Sequence, residues 1–185
     1  MLLLIIGLIL WIGAHWFKRL KPDARSALGM PGKGIIAVLI LAALALMIIG
    51  YRMAAFVPVW QPPLFLTHIN NLMMVLALWV YGSSAAKGAK AWPAYKTRHA
   101  QLLAVKIWAA AHLLVNGDLA SIILFGGLLA WAVGSVILIN RAEPAWTAPA
   151  PAGRATYIRL AVISLVMFVL ITALHFWLGV SPFPS

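Results

Sequence analysis

Apolar residues run along this chain in six long blocks, separated by short polar or basic stretches. A helix needs about 20 mostly apolar residues to cross the ~30 Å hydrocarbon core of a bilayer. The blocks at 1–17, 34–51, 64–82, 99–116, 119–139 and 158–180 meet or approach that length. Lys18, Arg19 and Lys21 end the first block, with Pro22 just beyond. Gly50 and Arg52 close the second, and Pro62–Pro63 open the third. Only Asn116-Gly117-Asp118 separates the fourth from the fifth. There Gly117 suits a helix C-cap and Asp118 an N-cap three residues before Ser121, so a tight helical hairpin is expected. Gly126-Gly127 and Gly134 are read as places where helices approach closely. The stretches 82–97 and 141–156, rich in Gly, Ser, Ala, Lys and Pro, are read as mobile connections. No repeat is evident. The pattern predicts an all-α fold, a polytopic transmembrane bundle of about six spans in a single membrane domain, 1–185.

Composition strengthens this reading. The 185 residues are 64% hydrophobic and 9% charged, whereas soluble domains run near 45–50% and about 25%. The formal charge of +11 raises the question of a nucleic-acid partner, but the charges sit in particular loops and on no amphipathic face. Lys18, Arg19, Lys21, Arg25 and Lys33 fill the first loop. Lys87, Lys90, Lys96 and Arg98 fill the third, and Arg141, Arg154 and Arg159 flank the fifth. The alternate loops carry only Arg52. Positive residues mark cytoplasmic loops, so both termini are expected on the outer side. The first block has its charges after the apolar run and no convincing cleavage site, which reads as a retained first helix. With no cysteine, disulfides, thiolate metal sites and thiol catalysis are excluded.

The chemistry lies in polar residues inside apolar blocks, which are costly in lipid and therefore functional candidates. All five histidines, His15, His68, His99, His112 and His175, fall in or at the end of a block. Imidazole is a natural axial ligand for haem and also suits copper, zinc or iron. The three acidic residues, Asp23, Asp118 and Glu143, lie in connections, so a di-iron carboxylate or calcium site has no ligands. No Ser–His–Asp spacing of a hydrolase is recognisable. His99 and His112, thirteen residues apart, are about 20 Å apart along one helix and cannot share one haem. His112 shares a stripe with Trp108, Val105 and Gln101. Asn70 and Asn71 are read either as interhelical hydrogen-bonding groups or as cavity lining.

The segment Thr97-Arg98-His99-Ala100-Gln101, through Ile107-Trp108-Ala109-Ala110-Ala111-His112, to Asn116-Gly117-Asp118-Leu119-Ala120-Ser121 resembles the NnrU family. That family also includes the 15-cis-zeta-carotene isomerases. Gly13-Ala14-His15-Trp16, followed by a basic turn, is similar to the family's opening. The resemblance implies a multi-pass protein of the bacterial inner membrane, with a link to nitrite and nitric oxide metabolism (denitrification), and haem b as in the isomerase branch. It implies His15 and His112 as the axial ligands. Lys18 and Arg19, one turn beyond His15, are candidate partners for the haem propionates. Ala109 stands where the isomerases carry a cysteine ligand, and Ala100 replaces the proline of the common Arg-His-Pro. On depth alone His112 pairs more naturally with His68 or His175, which stay in reserve with His99. The implied partners are the lipid bilayer, a hydrophobic small molecule or nitric oxide, and denitrification proteins. Two other classes compete: an accessory or assembly protein without a cofactor, and a membrane methyltransferase of the isoprenylcysteine type.

Overall fold

A computed structural model describes residues 1–183. Among them are seven helices and no strand beyond isolated bridges: α1 (Leu2–Leu20), α2 (Pro22–Ala27), α3 (Pro31–Arg52), α4 (Leu66–Gly82), α5 (Ala100–Val115), α6 (Leu119–Ala142) and α7 (Arg154–Trp177). Each of the six apolar blocks is a helix. Four of them, α1, α3, α6 and α7, are long and apolar enough to cross a membrane. The shorter α4 and α5, at 17 and 16 residues, rise about 24–26 Å, just under the ~30 Å hydrocarbon core. The basic first connection contains α2, a six-residue helix that the pattern did not predict; Pro22 occupies its first turn, where a missing N–H costs nothing.

The helices divide into two compact units. Residues 1–60 and 117–144 form the first. Within it α1 packs antiparallel on α3 along a seam of small residues, and α6 completes the group. A Cβ on Gly50 would stand 2.2 Å from the backbone nitrogen of Leu4, and one on Gly7 would stand 2.7 Å from that of Met47. Backbones this close are how helices associate in lipid, where burying apolar surface gains nothing. On α6, Gly127 makes room for Leu8 and Gly134 for the Trp16 ring, as expected; Gly126 faces open space and has no such role. Trp16 Nε1 donates to Ser135 Oγ at 2.9 Å. At the start of α6, Asp118 caps Ser121 N as expected, at 3.0 Å. Gly117 does something different. Its φ is not positive, Asn116 closes α5 instead, and the Gly117 carbonyl accepts the Val59 and Trp60 N–H groups.

Residues 61–116 and 145–185 form the second unit, in which α4 packs on α5 and on α7. Small residues again set the spacing: Ala94, Ala100 and Ala104 pack with Val80, flanked by Trp79, Leu103 and Ile107. The stretch 82–97, expected to be a loose connection, is tied down. Trp79 Nε1 donates to the Trp92 carbonyl at 2.8 Å, and Trp92 N donates to the Tyr157 hydroxyl at 3.0 Å. Lys90 N and O pair with Ala150 O and Ala152 N. Its ammonium donates to the carbonyls of Ser84 and Ala86. Small side chains let this loop fold against the helices and bury Ala91 completely.

Candidate functional site

Within the second unit, α4, α5, α7 and the segment after α7 line a half-open cavity of about 220 Å³. Its wall is mostly apolar, with Met74, Leu78, Ala104, Val105, Phe168 and Ile171 among the lining side chains. Into this surface project His112 from α5, His175 from α7, and Asn70 and Asn71 from α4. The stripe Val105–Trp108–His112 faces the cavity as its spacing required; Gln101, on the same nominal stripe, is exposed. Asn70 and Asn71, read either as interhelical hydrogen-bonding groups or as cavity lining, both line the cavity, and Asn71 Nδ2 also donates to the Pro182 carbonyl at 2.9 Å.

The histidines share a local arrangement. His112 Nδ1 lies 2.9 Å from the Trp108 carbonyl, and the two rings stack obliquely with centroids 5.0 Å apart. His175 Nδ1 lies 2.7 Å from the Ile171 carbonyl. A carbonyl oxygen only accepts, so each Nδ1 carries the hydrogen. In the neutral ring the lone pair then sits on Nε2. This is the state in which a histidine binds a metal through Nε2 while its other nitrogen is held by a carbonyl. A neutral imidazole is also the form least costly in apolar surroundings.

His15 repeats the pattern in the first unit. Its Nδ1 donates to the Trp11 carbonyl at 2.8 Å, and its ring packs against Trp11 at 4.3 Å and edge-on to Trp131 at 4.8 Å. The repeated Trp-x-x-x-His spacing, Trp11–His15 and Trp108–His112, was readable in the chain; the place of Trp131 was not. The indole nitrogens of Trp11 and Trp131 are buried without a hydrogen-bond partner. Lys18 is exposed, and Arg19 is paired with Glu143 at 2.5 Å. His68 is exposed on α4 and His99 is the N-cap residue of α5; neither lines the cavity. Among the described residues no three His, Asp or Glu side chains converge as a bare metal ion would need.

Four helices long and apolar enough to cross a bilayer define a polytopic membrane protein, and its second unit holds a mostly apolar cavity lined by two histidines. The family model described as NnrU protein matches residues 3–182, nearly the whole chain, and the chain belongs to that family. No curated protein matches it, and no solved structure does either.

Proposed function

We propose that the chain crosses the bacterial inner membrane six times with both termini outside, and binds haem b through its intramembrane histidines in a role tied to nitrite and nitric oxide metabolism. The six-span reading rests on α5 being apolar, on α4 and α5 both being close to spanning length, and on the basic residues falling in alternate connections. The haem reading rests on one observation: His112, with its Nδ1–H fixed on the Trp108 carbonyl, lines a mostly apolar cavity. His175 lines the same cavity and is anchored alike. His15, also anchored alike, is the second ligand that the family resemblance points to. When bound, haem supplies an iron centre able to exchange electrons or take up a diatomic gas.

The histidines suit iron ligation, and the cavity would take part of such a ring. Drug-sized ligands occupy pockets of roughly 300–1,000 Å³, more than the 220 Å³ of this half-open cavity. The rim residue Tyr81 is 53% exposed, which leaves that side open to a larger planar group. Ala109, fully buried on α5, provides no thiolate alternative to His112, so a ligand exchange of the isomerase type has no second ligand there.

The test is an oxidised and reduced absorption spectrum of the purified protein with pyridine haemochrome quantification, repeated on His15→Ala, His112→Ala and His175→Ala. One haem per chain, lost or shifted in His112→Ala, is the expected result. A shift in His175→Ala or in His15→Ala identifies the second ligand. No band from protein made with ample haem overturns the reading and leaves an accessory role in its place.

A further inference from the structure

The charges on α3 stand near its two ends, at Lys33 and Arg52. Between them the helix rises about 28 Å, close to the ~30 Å hydrocarbon thickness of a bilayer. Arg52 therefore marks the level at which α3 leaves the apolar layer. A chain entering water at that point is expected to turn polar, and this one does not. Residues 53–60 read Met-Ala-Ala-Phe-Val-Pro-Val-Trp, with no charged residue, hydroxyl or amide side chain among them. They lie between helices, and their side chains are uncovered. Met53 is 71% and Phe56 77% exposed, and Val57, Val59 and Trp60 are exposed as well.

The segment is held beside the helix ends and does not project from them. The Gly117 carbonyl accepts the N–H groups of Val59 and Trp60 at 2.8 and 3.1 Å, and Leu119 N–H donates to the Val57 carbonyl at 2.9 Å. Pro58 faces Asp118, the N-cap residue of α6, across an antiparallel bridge. Residues 57–60 thus lie next to the first residues of a second helix of spanning length in the same unit. One such helix ends at Arg52 and the other begins at Leu119. Together they fix the segment at the level of the membrane surface.

Neither bulk phase suits this segment. Irregular backbone facing lipid is not tolerated inside the hydrocarbon layer, where its free polar groups find no partner. A run of exposed apolar side chains is equally out of place in water, and marks a surface that meets a protein or a membrane. The boundary between the two layers accommodates both, with the backbone among hydrated headgroups and the side chains among the acyl chains. Tryptophan favours this boundary. The apolar surface is also continuous with α3, because Ile48 and Ile49 in its last turns are exposed.

We propose that residues 53–60 are an interfacial anchor whose partner is the lipid surface itself. Phe56 and Val59 dip into the acyl boundary, and Arg52, exposed beside them, meets the headgroup phosphates. The proposal goes beyond the haem and six-span readings. It needs only α3 and α6 to cross the bilayer, and is independent of which side of the membrane they end on.

The chain contains no cysteine, so a nitroxide label can be placed on one introduced thiol at a time. The variants are Phe56→Cys, Val59→Cys, Asp23→Cys in the exposed first connection, and Leu41→Cys, exposed on α3 about 16 Å along the helix from Arg52. The full chain is reconstituted in phosphatidylcholine vesicles. Depth is read from the collision rates of each label with oxygen and with a water-soluble nickel complex, and melting curves matching the wild type show that the variants are folded. Labels at Phe56 and Val59 are expected about 5–10 Å below the headgroups, between the water-exposed label at Asp23 and the deepest one at Leu41. Nickel access at Phe56 and Val59 equal to that at Asp23 overturns the proposal, and makes the patch a docking surface for a water-soluble partner. A depth equal to that at Leu41 overturns it too, because the segment then lies in the hydrocarbon. Nickel access at Leu41 refutes the α3 span and the proposal with it. The Soret band is a separate measurement and bears only on the haem reading.

Discussion

Asp118→Ala tests the packing of the first unit with a magnitude that the structure supplies. The carboxylate makes two bonds at the head of α6: Oδ1 accepts Ser121 N–H at 3.0 Å, and Oδ2 accepts the Ser121 hydroxyl at 2.5 Å. The one hydroxyl proton of Ser121 is thus committed, so in the 2.9 Å contact between Ser121 Oγ and Tyr51 it is Tyr51 that donates. This links α3 to α6 through a Ser121 that is fully buried. Loss of an N-cap costs about 1 kcal/mol. A buried hydroxyl left without its acceptor costs roughly a further 1–3 kcal/mol. The expected loss is therefore about 2–4 kcal/mol, on the order of 10 °C in Tm for a chain of this size. The assay is thermal unfolding in detergent, with Ser121→Ala and the double variant completing a cycle. Coupling is expected, since both single changes remove the same bond. A Tm within 1–2 °C of wild type, or strictly additive single changes, would refute the reasoning.

Two other outcomes follow from the same unit. Gly50→Ala places a methyl group on the Leu4 backbone and is expected to cost about 1–3 kcal/mol. Gly126→Ala, which meets open space, should be neutral or stabilising by up to about 1 kcal/mol, and the difference is read from paired melting curves. Glu143→Gln breaks the Arg19 ion pair, whose acid is half exposed; a loss below about 1 kcal/mol that shrinks in high salt is expected from melts at low and molar salt.

The local features were legible and the long-range ones were not. Helix positions followed from apolar length, and the Asp118 cap from a spacing of three residues. The Val105–Trp108–His112 stripe followed from helical periodicity, because each of these signals lies within one element. Gly117 was misread because its function is to accept hydrogen bonds from Val59 and Trp60, residues far away in the chain. The loop 82–97 looked loose because Ala, Gly and Ser carry little pattern, yet small side chains are what allow it to pack. The cavity's remaining wall, from Phe168 to His175, and the Asn71–Pro182 bond depend on which helices become neighbours. A lone sequence contains no periodicity that reports this.

The first unit is discontinuous in the chain, and this sets a condition on its biogenesis. α1 and α3 emerge from the ribosome together, whereas their third partner α6 begins only at Leu119. At about 5–20 residues per second, the stretch between Arg52 and Leu119 takes roughly 3–13 s to synthesise. For those seconds the α1–α3 pair has to persist while α4 and α5 are being synthesised. The Gly7 and Gly50 seam, formed entirely within the first 52 residues, allows the pair to wait as a preassembled hairpin and receive α6 late.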